Sequence, residues 1–478
     1  MLGNGGKTMK YDLVVGLETH VELLTKTKIF CSCANKFGSE PNTNCCPVCL
    51  GFPGTLPKIN REVVNFAVKA ALALNCEVNL LSKMDRKNYV YPDLSKAYQI
   101  SQFYEPICKN GYIMLDSGKK IRINHIHMEE DAAKLVYKNG DTYVDYNRGG
   151  VPLLEVVTEP DISSSDEARE YIEKLQMIMR YIGVSDCRMQ EGSIKCDVNV
   201  SVKPEGSDKL GTRTEIKNMN SITFMTKAID YERDRHIDLI ESGEKVVQQT
   251  MRYIEATNST ESMRSKEDAQ DYRYFRDPDL VDIILTNEEI EKIKKTLPEL
   301  PDSRFKRYVN DLGISEKDAA LLVKYKNVSD YFENASKGLK APKTVANFIV
   351  GQIFRTIETE AEKEKFEVLT TPEQLNEMVR LIESGKLTMN LAKKAFSKML
   401  ESGKPVTEFV SESDMQGIPP EEIEKMCKEA IESNPNAVKD YLSGKEKALK
   451  ALLGSVMRQT RGRGNAGEIE EKLKDLIK

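Results

Sequence analysis

Five of the ten cysteines fall between Cys31 and Cys49, a density that cytosolic redox chemistry makes a metal site rather than a disulfide framework. Cys31-x-Cys33 and Cys46-x-x-Cys49 are two close pairs joined by a Gly, Pro and Asn-rich loop, so four thiolates can converge on one tetrahedral Zn²⁺. Full ligation by protein leaves no open position, which argues for a structural ion. The alternative is a set of free buried cysteines. Cys45 is a bystander in this reading.

A second group of residues is acidic. In VVGLETHVEL, alternation puts Val15, Leu17, Val21 and Leu23 on one face of a strand and Gly16, Glu18, His20 and Glu22 on the other. In VPLLEVV, Glu155 is the single charge in a strand that is apolar on both faces; buried without a partner it would be costly or would protonate, so it needs a cation. In INHIHMEED, Glu129 shares a face with His125 and His127, whereas Glu130 shares one with Ile126 and Met128. Glu130 is the more surprising charge and therefore the preferred ligand candidate. A hard cation such as Mg²⁺ takes carboxylate and phosphate oxygens and neutralises charge developing in phosphoryl transfer. Spacing does not reveal whether these strands meet.

The elements that must position these residues follow from periodicity. From Tyr11 to about Leu285, short alternating segments broken by Gly, Pro and Asn predict an antiparallel-rich α+β domain. Helical interruptions are expected at roughly 61–74, 165–182 and 221–241. In KCDVNVSVK, Cys196, Val198, Val200 and Val202 alternate with polar residues, so Asp197 and Asn199 can face a cleft. After TLPELPDS the texture becomes charged and 3.6-periodic, which predicts helices and a boundary near Pro301. A second break near 403–407 precedes a compact helical tail. The expected domains are 1–300, carrying a zinc knuckle at 31–49, then 301–405 and 406–478.

Composition narrows the class. With 478 residues, 40% hydrophobic and 30% charged, the chain is a multi-domain globular protein. It has no uncharged apolar run of membrane-spanning length, and its first residues lack a signal peptide's apolar stretch, so a cytoplasmic protein with no membrane partner is expected. The net charge of -5 gives no global reason to bind nucleic acid; any RNA contact must come from a local basic patch. There is no G-x-x-x-x-G-K-[ST] or strand-borne G-x-G-x-x-G segment, so a nucleotide would bind in a fold of another kind.

The segments VGLETHVEL, FCSCANKFGSEPNTNCCPVCLGFPGTLP, DRKNYVYPDL, HMEEDAAK, DYNRGGVPLLEVVTEPD, MQEGSIKCDVNVSV, GTRTEIKNMNS and DYRYFRDPD resemble the B-subunit family of the glutamine-dependent aspartyl/glutamyl-tRNA amidotransferases, essentially end to end. The resemblance implies a cradle domain similar in fold to glutamine synthetase, a helical domain and a YqeY-type helical tail. It implies phosphorylation by ATP and Mg²⁺ of the side-chain carboxylate of Glu or Asp misacylated onto tRNA(Gln) or tRNA(Asn). Ammonia then displaces the phosphate. That ammonia would come through an internal channel from a separate glutaminase subunit, with a small third subunit completing a heterotrimer.

Carried over residue by residue, the Mg²⁺ ligands fall on Glu18, His20, Glu130 and Glu155, and the Zn²⁺ ligands on Cys31, Cys33, Cys46 and Cys49. Lys87, Asn88, Asp197, Asn199, Glu215 and Lys217 would line the cradle. In GSVMRQTRGRGN, Arg458, Arg461 and Arg463 would contact tRNA phosphates. Departures from the family pattern are Ser95 and Arg276, where prolines are usual, and Gly464 and Ala466, where Ala and Pro are usual. A pure binding module, a zinc knuckle and basic tail docking tRNA onto another enzyme, is the competing reading. The inward acids suit only the enzyme.

Overall fold

A computed structural model describes residues 10–263, 272–411, 420–460, 464 and 466–477. The chain divides into two compact units, 1–300 and 301–478. In the first, the strands in chain order begin with β1 (Tyr11–Glu22), β2 (Glu77–Val78), β3 (Leu81–Ser82), β4 (Asp85–Asn88), β5 (Tyr98–Ser101), β6 (Cys108–Met114), β7 (Lys120–Glu130), β8 (Lys134–Lys138) and β9 (Asp141–Asp145). They continue with β10 (Pro152–Thr158), β11 (Ile194–Pro204), β12 (Thr214–Met219), β13 (Thr250–Ile254), β14 (Ser259–Ser262), β15 (Phe275–Arg276) and β16 (Ile283–Ile284). Nine form one sheet in the order β14-β13-β12-β11-β1-β10-β7-β6-β2, antiparallel except where β13 runs parallel to β12.

Helices α1 (Arg61–Ala73), α2 (Ser165–Tyr181) and α3 (Ile222–Glu241) start at Asn60, Ser164 and Ser221, whose side chains accept from the first-turn N–H groups. Their apolar stripes, Val64, Ala67, Ala71, Leu175, Met179, Ala228 and Ile229 among them, share one core with Val15, Leu17, Ile126, Met128, Leu154, Val156, Val198 and Val200. Each fully buried aliphatic side chain contributes about 1.5–3 kcal/mol. A slip of one residue in any central strand would push its apolar set out and its acids in, so the helix-covered face locks the register. The opposite face carries the polar partners.

Beside β7 stands a small sheet in the order β15-β4-β5. Gln99 Nε2 of β5 donates to the Glu130 carbonyl at 2.7 Å, which ties the two sheets together. Arg86 of β4 donates to Asp277 (2.8 Å) and Asp279 (2.7 Å), fastening the segment after β15. Helix α4 (Asn287–Lys294) closes the unit with a capping box at Thr286 and Glu289.

The second unit is helical, as its 3.6-residue periodicity predicts. Among the described residues, its longer helices up to Ser402 are α5 (Pro301–Asn310), α6 (Glu316–Lys324), α7 (Lys326–Ala335), α8 (Pro342–Phe348), α9 (Glu360–Lys365), α10 (Pro372–Glu383) and α11 (Met389–Ser402), with a π-helical turn at Ile349–Ile353 after α8 that runs into a short helical turn at Phe354–Thr356. Helices α12 (Pro420–Ser433), α13 (Pro435–Leu442), α14 (Lys447–Gln459) and α15 (Ala466–Ile477) make the tail, around Cys427, Leu452, Val456, Ile469 and Leu473. Among the described residues no helix is long and apolar enough to cross a membrane.

Candidate active site and metal centres

Antiparallel pairing builds the acidic site from strands far apart in sequence. His20 of β1 lies opposite Lys195 of β11 on one side and Glu155 of β10 on the other, and Glu155 lies opposite His127 of β7. One row across four strands therefore reads Lys195, His20, Glu155, His127. Glu129, two residues along β7 on the same face, completes the group diagonally. His20 Nε2 is 3.3 Å from Glu155 Oε2 and 3.4 Å from Glu129 Oε1. His127 Nε2 is 3.1 Å from Glu155 Oε2 and 3.7 Å from Glu129 Oε2. Glu155 has its cation: two imidazoles from the flanking strands.

The electrostatics follow from this crowding. Burial alone would depress the His20 imidazole, but the hydrogen bond to Glu155 and the charge of Glu129 push it up to about 9. His127, also opposed by burial, is pushed up to about 10 by the same two carboxylates. Glu155 responds in the other direction, held below the carboxylate range by His127 and His20 despite burial. His125, further along the strand, is lowered to about 4 by burial and by the neighbouring His127.

The geometry separates one expected ligand from the rest. Glu130 sits on the helix-covered face with Met128, where its Oε1 accepts from Lys96 Nζ at 2.5 Å and from the Ile100 N–H at 2.9 Å. It does not join His20 and Glu155; Glu129 does, with one donor atom of each of these three residues within 4.8 Å of the others. The strand alternation itself puts Glu129 with His125 and His127. The partner of Glu130 is a lysine 34 residues away, beyond the reach of local pattern.

Glu18 is on the site face two residues before His20, opposite Asp197, with its Oε1 accepting from Asn199 Nδ2 at 2.9 Å. Burial and the charge of Glu155 raise its affinity for a proton. Asp197 accepts from the Asn218 N–H at 2.7 Å, across a shift in register between β11 and β12 where Asn218 adopts a left-handed φ of 59°. Glu215 lies opposite Asn199 and pairs with Lys217 at 3.4 Å. These four cradle candidates, with Glu18, thus occupy adjacent strands. A cavity of about 530 Å³ opens beside them, lined by Gly16, Glu18, Thr158, Asn199, Thr212 and Arg213. Lys87 is on β4 of the small sheet, with its Nζ 4.7 Å from the Tyr272 ring centre, and Asn88 serves as a backbone clamp, donating to the carbonyls of Tyr272 and Arg273.

The cysteine cluster forms as its spacing predicts. One Sγ of each of Cys31, Cys33, Cys46 and Cys49 lies within 4.8 Å of the others, and Cys33 and Cys49 are 4.0 Å apart. Four sulfurs at ~2.3 Å from a tetrahedral Zn²⁺ would stand roughly 3.8 Å apart. The donor set therefore fits zinc. Lys28, fully buried, brings its Nζ to 3.7 Å from Cys49 Sγ and donates to the Tyr146 carbonyl at 3.0 Å. Hydrogen bonds from Cys31 and from the Cys46 backbone, with this ammonium, favour the Cys49 thiolate, lowering it to about 4. In the tail, Arg458 is exposed at the end of α14, while Arg461 and Arg463 lie outside the described residues.

With the geometry in place, the chain can be set beside known proteins. The family model described as "GatB/GatE catalytic domain" matches residues 13–291, and "GatB domain" matches 330–477. The chain belongs to the amidotransferase B-subunit family. A relative from Ruminiclostridium cellulolyticum is 50% identical over 98% of this chain and 98% of its own length. One from Thermoanaerobacter pseudethanolicus is 49% identical over 98% of this chain and all of its own length, and one from Carboxydothermus hydrogenoformans is 48% identical over 98% and 99%. All three are named as the B-subunit of an aspartyl/glutamyl-tRNA(Asn/Gln) amidotransferase. Every acidic and thiolate residue of both clusters lies within the matched catalytic domain.

Proposed function

We propose that this chain is the component of a tRNA-dependent amidotransferase that activates and amidates the side chain of Glu or Asp carried on tRNA(Gln) or tRNA(Asn). The observation that carries the reading is the group His20, Glu129 and Glu155 on the helix-free face of the main sheet, with Glu18 alongside. A carboxylate resists attack by ammonia. Transfer of the γ-phosphoryl group of ATP to a carboxylate oxygen, with ADP leaving, converts it into an acyl phosphate. Ammonia then attacks the acyl carbon, phosphate departs with the bonding electrons, and the nitrogen loses a proton to give the amide.

The donors suit a hard divalent cation: two carboxylates and one imidazole with room for phosphate oxygens. Mg²⁺ held there would neutralise charge on phosphates and on the leaving oxygen. Glu18, oriented by Asn199, faces the 530 Å³ cavity that would accept the nucleotide. The zinc knuckle would be structural, since its four thiolates leave no coordination position for a substrate. The ammonia must come from a glutaminase partner, with a small third protein completing the heterotrimer, in the cytoplasm. Tail residue Arg458, with Arg461 and Arg463, would contact tRNA phosphates.

The test is reconstitution with the glutaminase and the small third protein, then addition of ATP, glutamine and each misacylated tRNA. Amide must form on at least one tRNA, and only with ATP. Amide formation without ATP, or on neither tRNA, overturns the reading.

A further inference from the structure

Around β4, β5 and the segment leading into β15, four aromatic rings gather against the acidic site. Phe103 and Tyr274 stack nearly parallel, with centroids 4.2 Å apart and planes inclined by 10°. Tyr272 meets Tyr274 edge-on at 6.0 Å and Tyr89 at 5.6 Å. Lys87 Nζ lies 4.7 Å from the Tyr272 ring centre and 5.7 Å from that of Tyr89. Phe103 remains 57% exposed, so burial in a core does not account for it.

The wall is held by its backbone. Asp85 accepts from the N–H groups of Phe103 (2.8 Å) and Tyr104 (3.1 Å). The Asn88 N–H donates to the Tyr272 carbonyl at 2.9 Å, and the Tyr104 hydroxyl donates to the Tyr274 carbonyl at 3.2 Å. It also adjoins the acids: Ser101, two residues before Phe103, has its Oγ 3.5 Å from Glu129 Oε2. Burial and nearby acidic charges, Glu129 among them for both, raise the phenols of Tyr89 and Tyr274 above the ordinary tyrosine range.

Fixed, partly exposed rings flanked by a lysine are how proteins take an unpaired base and the phosphate next to it. We propose that Tyr89, Phe103, Tyr272 and Tyr274 form a stacking wall for the 3′-terminal base of the aminoacylated tRNA, with Lys87 meeting a phosphate, so that the esterified amino acid hangs over His20, Glu129 and Glu155. This rests on the proposed function, and it adds how that substrate's reacting end is placed. The base of ATP is the other adenine available. The cavity beside Glu18 and Arg213 has no aromatic residue in its lining and lies toward the other end of the β1 site face, which leaves the wall to the RNA.

The experiment uses the complete heterotrimer and a misacylated tRNA carrying 2-aminopurine at its 3′ end. Binding must quench the probe. Tyr272→Leu must abolish most of that quench and raise KM for the tRNA about tenfold, with kcat changed less than threefold and KM for ATP unmoved; Tyr272→Phe must restore both. Unchanged quench and KM in Tyr272→Leu overturn the wall while wild-type amidation stands. A rise in KM for ATP reassigns the rings to the nucleotide, and failure of Tyr272→Leu to assemble with its partner proteins reassigns them to an interface; either result overturns the proposal. Absence of amidation by the wild-type complex defeats the underlying reading instead.

Discussion

The cysteine knuckle and the carboxylate–imidazole site are both groups of side chains that could hold a metal ion within one unit, yet they are built by opposite means. The knuckle takes all its sulfurs from one stretch of 19 residues between Cys31 and Cys49, and a buried ammonium, Lys28, supplies the counter-charge. The acidic site takes His20, Glu129 and Glu155 from three strands, brought together by sheet order. Its compensating groups are imidazoles, which can give up their protons. A closed site braced by a buried lysine suits structure; an open site balanced by removable protons suits an exchangeable metal and substrate.

The largest effect should come from breaking the row at its centre. Glu155→Ala in the assembled complex is expected to lower amide formation about 10³-fold, the scale of losing one group that stabilises transition-state charge. Glutamine hydrolysis, measured alongside as ammonia release, should continue. If amidation stays near wild type, the row is not the reaction site.

The two neighbouring glutamates on β7 offer a sharper comparison, because they face opposite sides of the same strand. Mn²⁺ titration followed by electron paramagnetic resonance should show Glu129→Gln weakening the metal site about 10- to 100-fold and Glu130→Gln leaving it within a few-fold of wild type. The reverse order would restore Glu130 as the ligand. The same titration should depend on pH in a defined sense. Below about 9 the metal-free His20 carries a proton that the ion must displace, so Mn²⁺ affinity should rise with pH, up to tenfold per unit, and level off above that value. A flat profile between about pH 6 and 8 would mean that His20 does not ligate.

How much of this was legible in the sequence follows the same division. The cysteine pairs announce themselves because ligands, turn and spacing are all local. The strand alternation also gave the correct faces for Glu18, His20, Glu129 and Glu130, and the helical segments at 61–74, 165–182 and 221–241 match α1, α2 and α3 to within a residue or so. Local pattern favoured Glu130 over Glu129 because it shares a strand face with Ile126 and Met128, and it could not show that the partner of that charge, Lys96, comes from another segment. The aromatic wall went unseen for a like reason. Tyr89 and Tyr272 are 183 positions apart in the chain, and only the pairing of β15 with β4 makes them neighbours.

The smallest effect tests the other half of the comparison. A tetrathiolate around Zn²⁺ carries two net negative charges, and Lys28 is the buried cation whose Nζ reaches the Cys49 sulfur. Lys28→Met keeps the aliphatic volume and removes the charge and the donor to the Tyr146 carbonyl. Wild-type protein should contain one zinc per chain by elemental analysis. The variant should still fill to one, because all four thiolates remain, but competition with a chelator should show affinity about tenfold lower, the scale of losing a group that supports a ligand from behind. Unchanged affinity would make Lys28 a strut between the knuckle and the loop after β9 rather than an electrostatic partner of the metal. Complete loss of zinc would show that the thiolates cannot hold the ion without it, and the knuckle would then be no more self-contained than the acidic row.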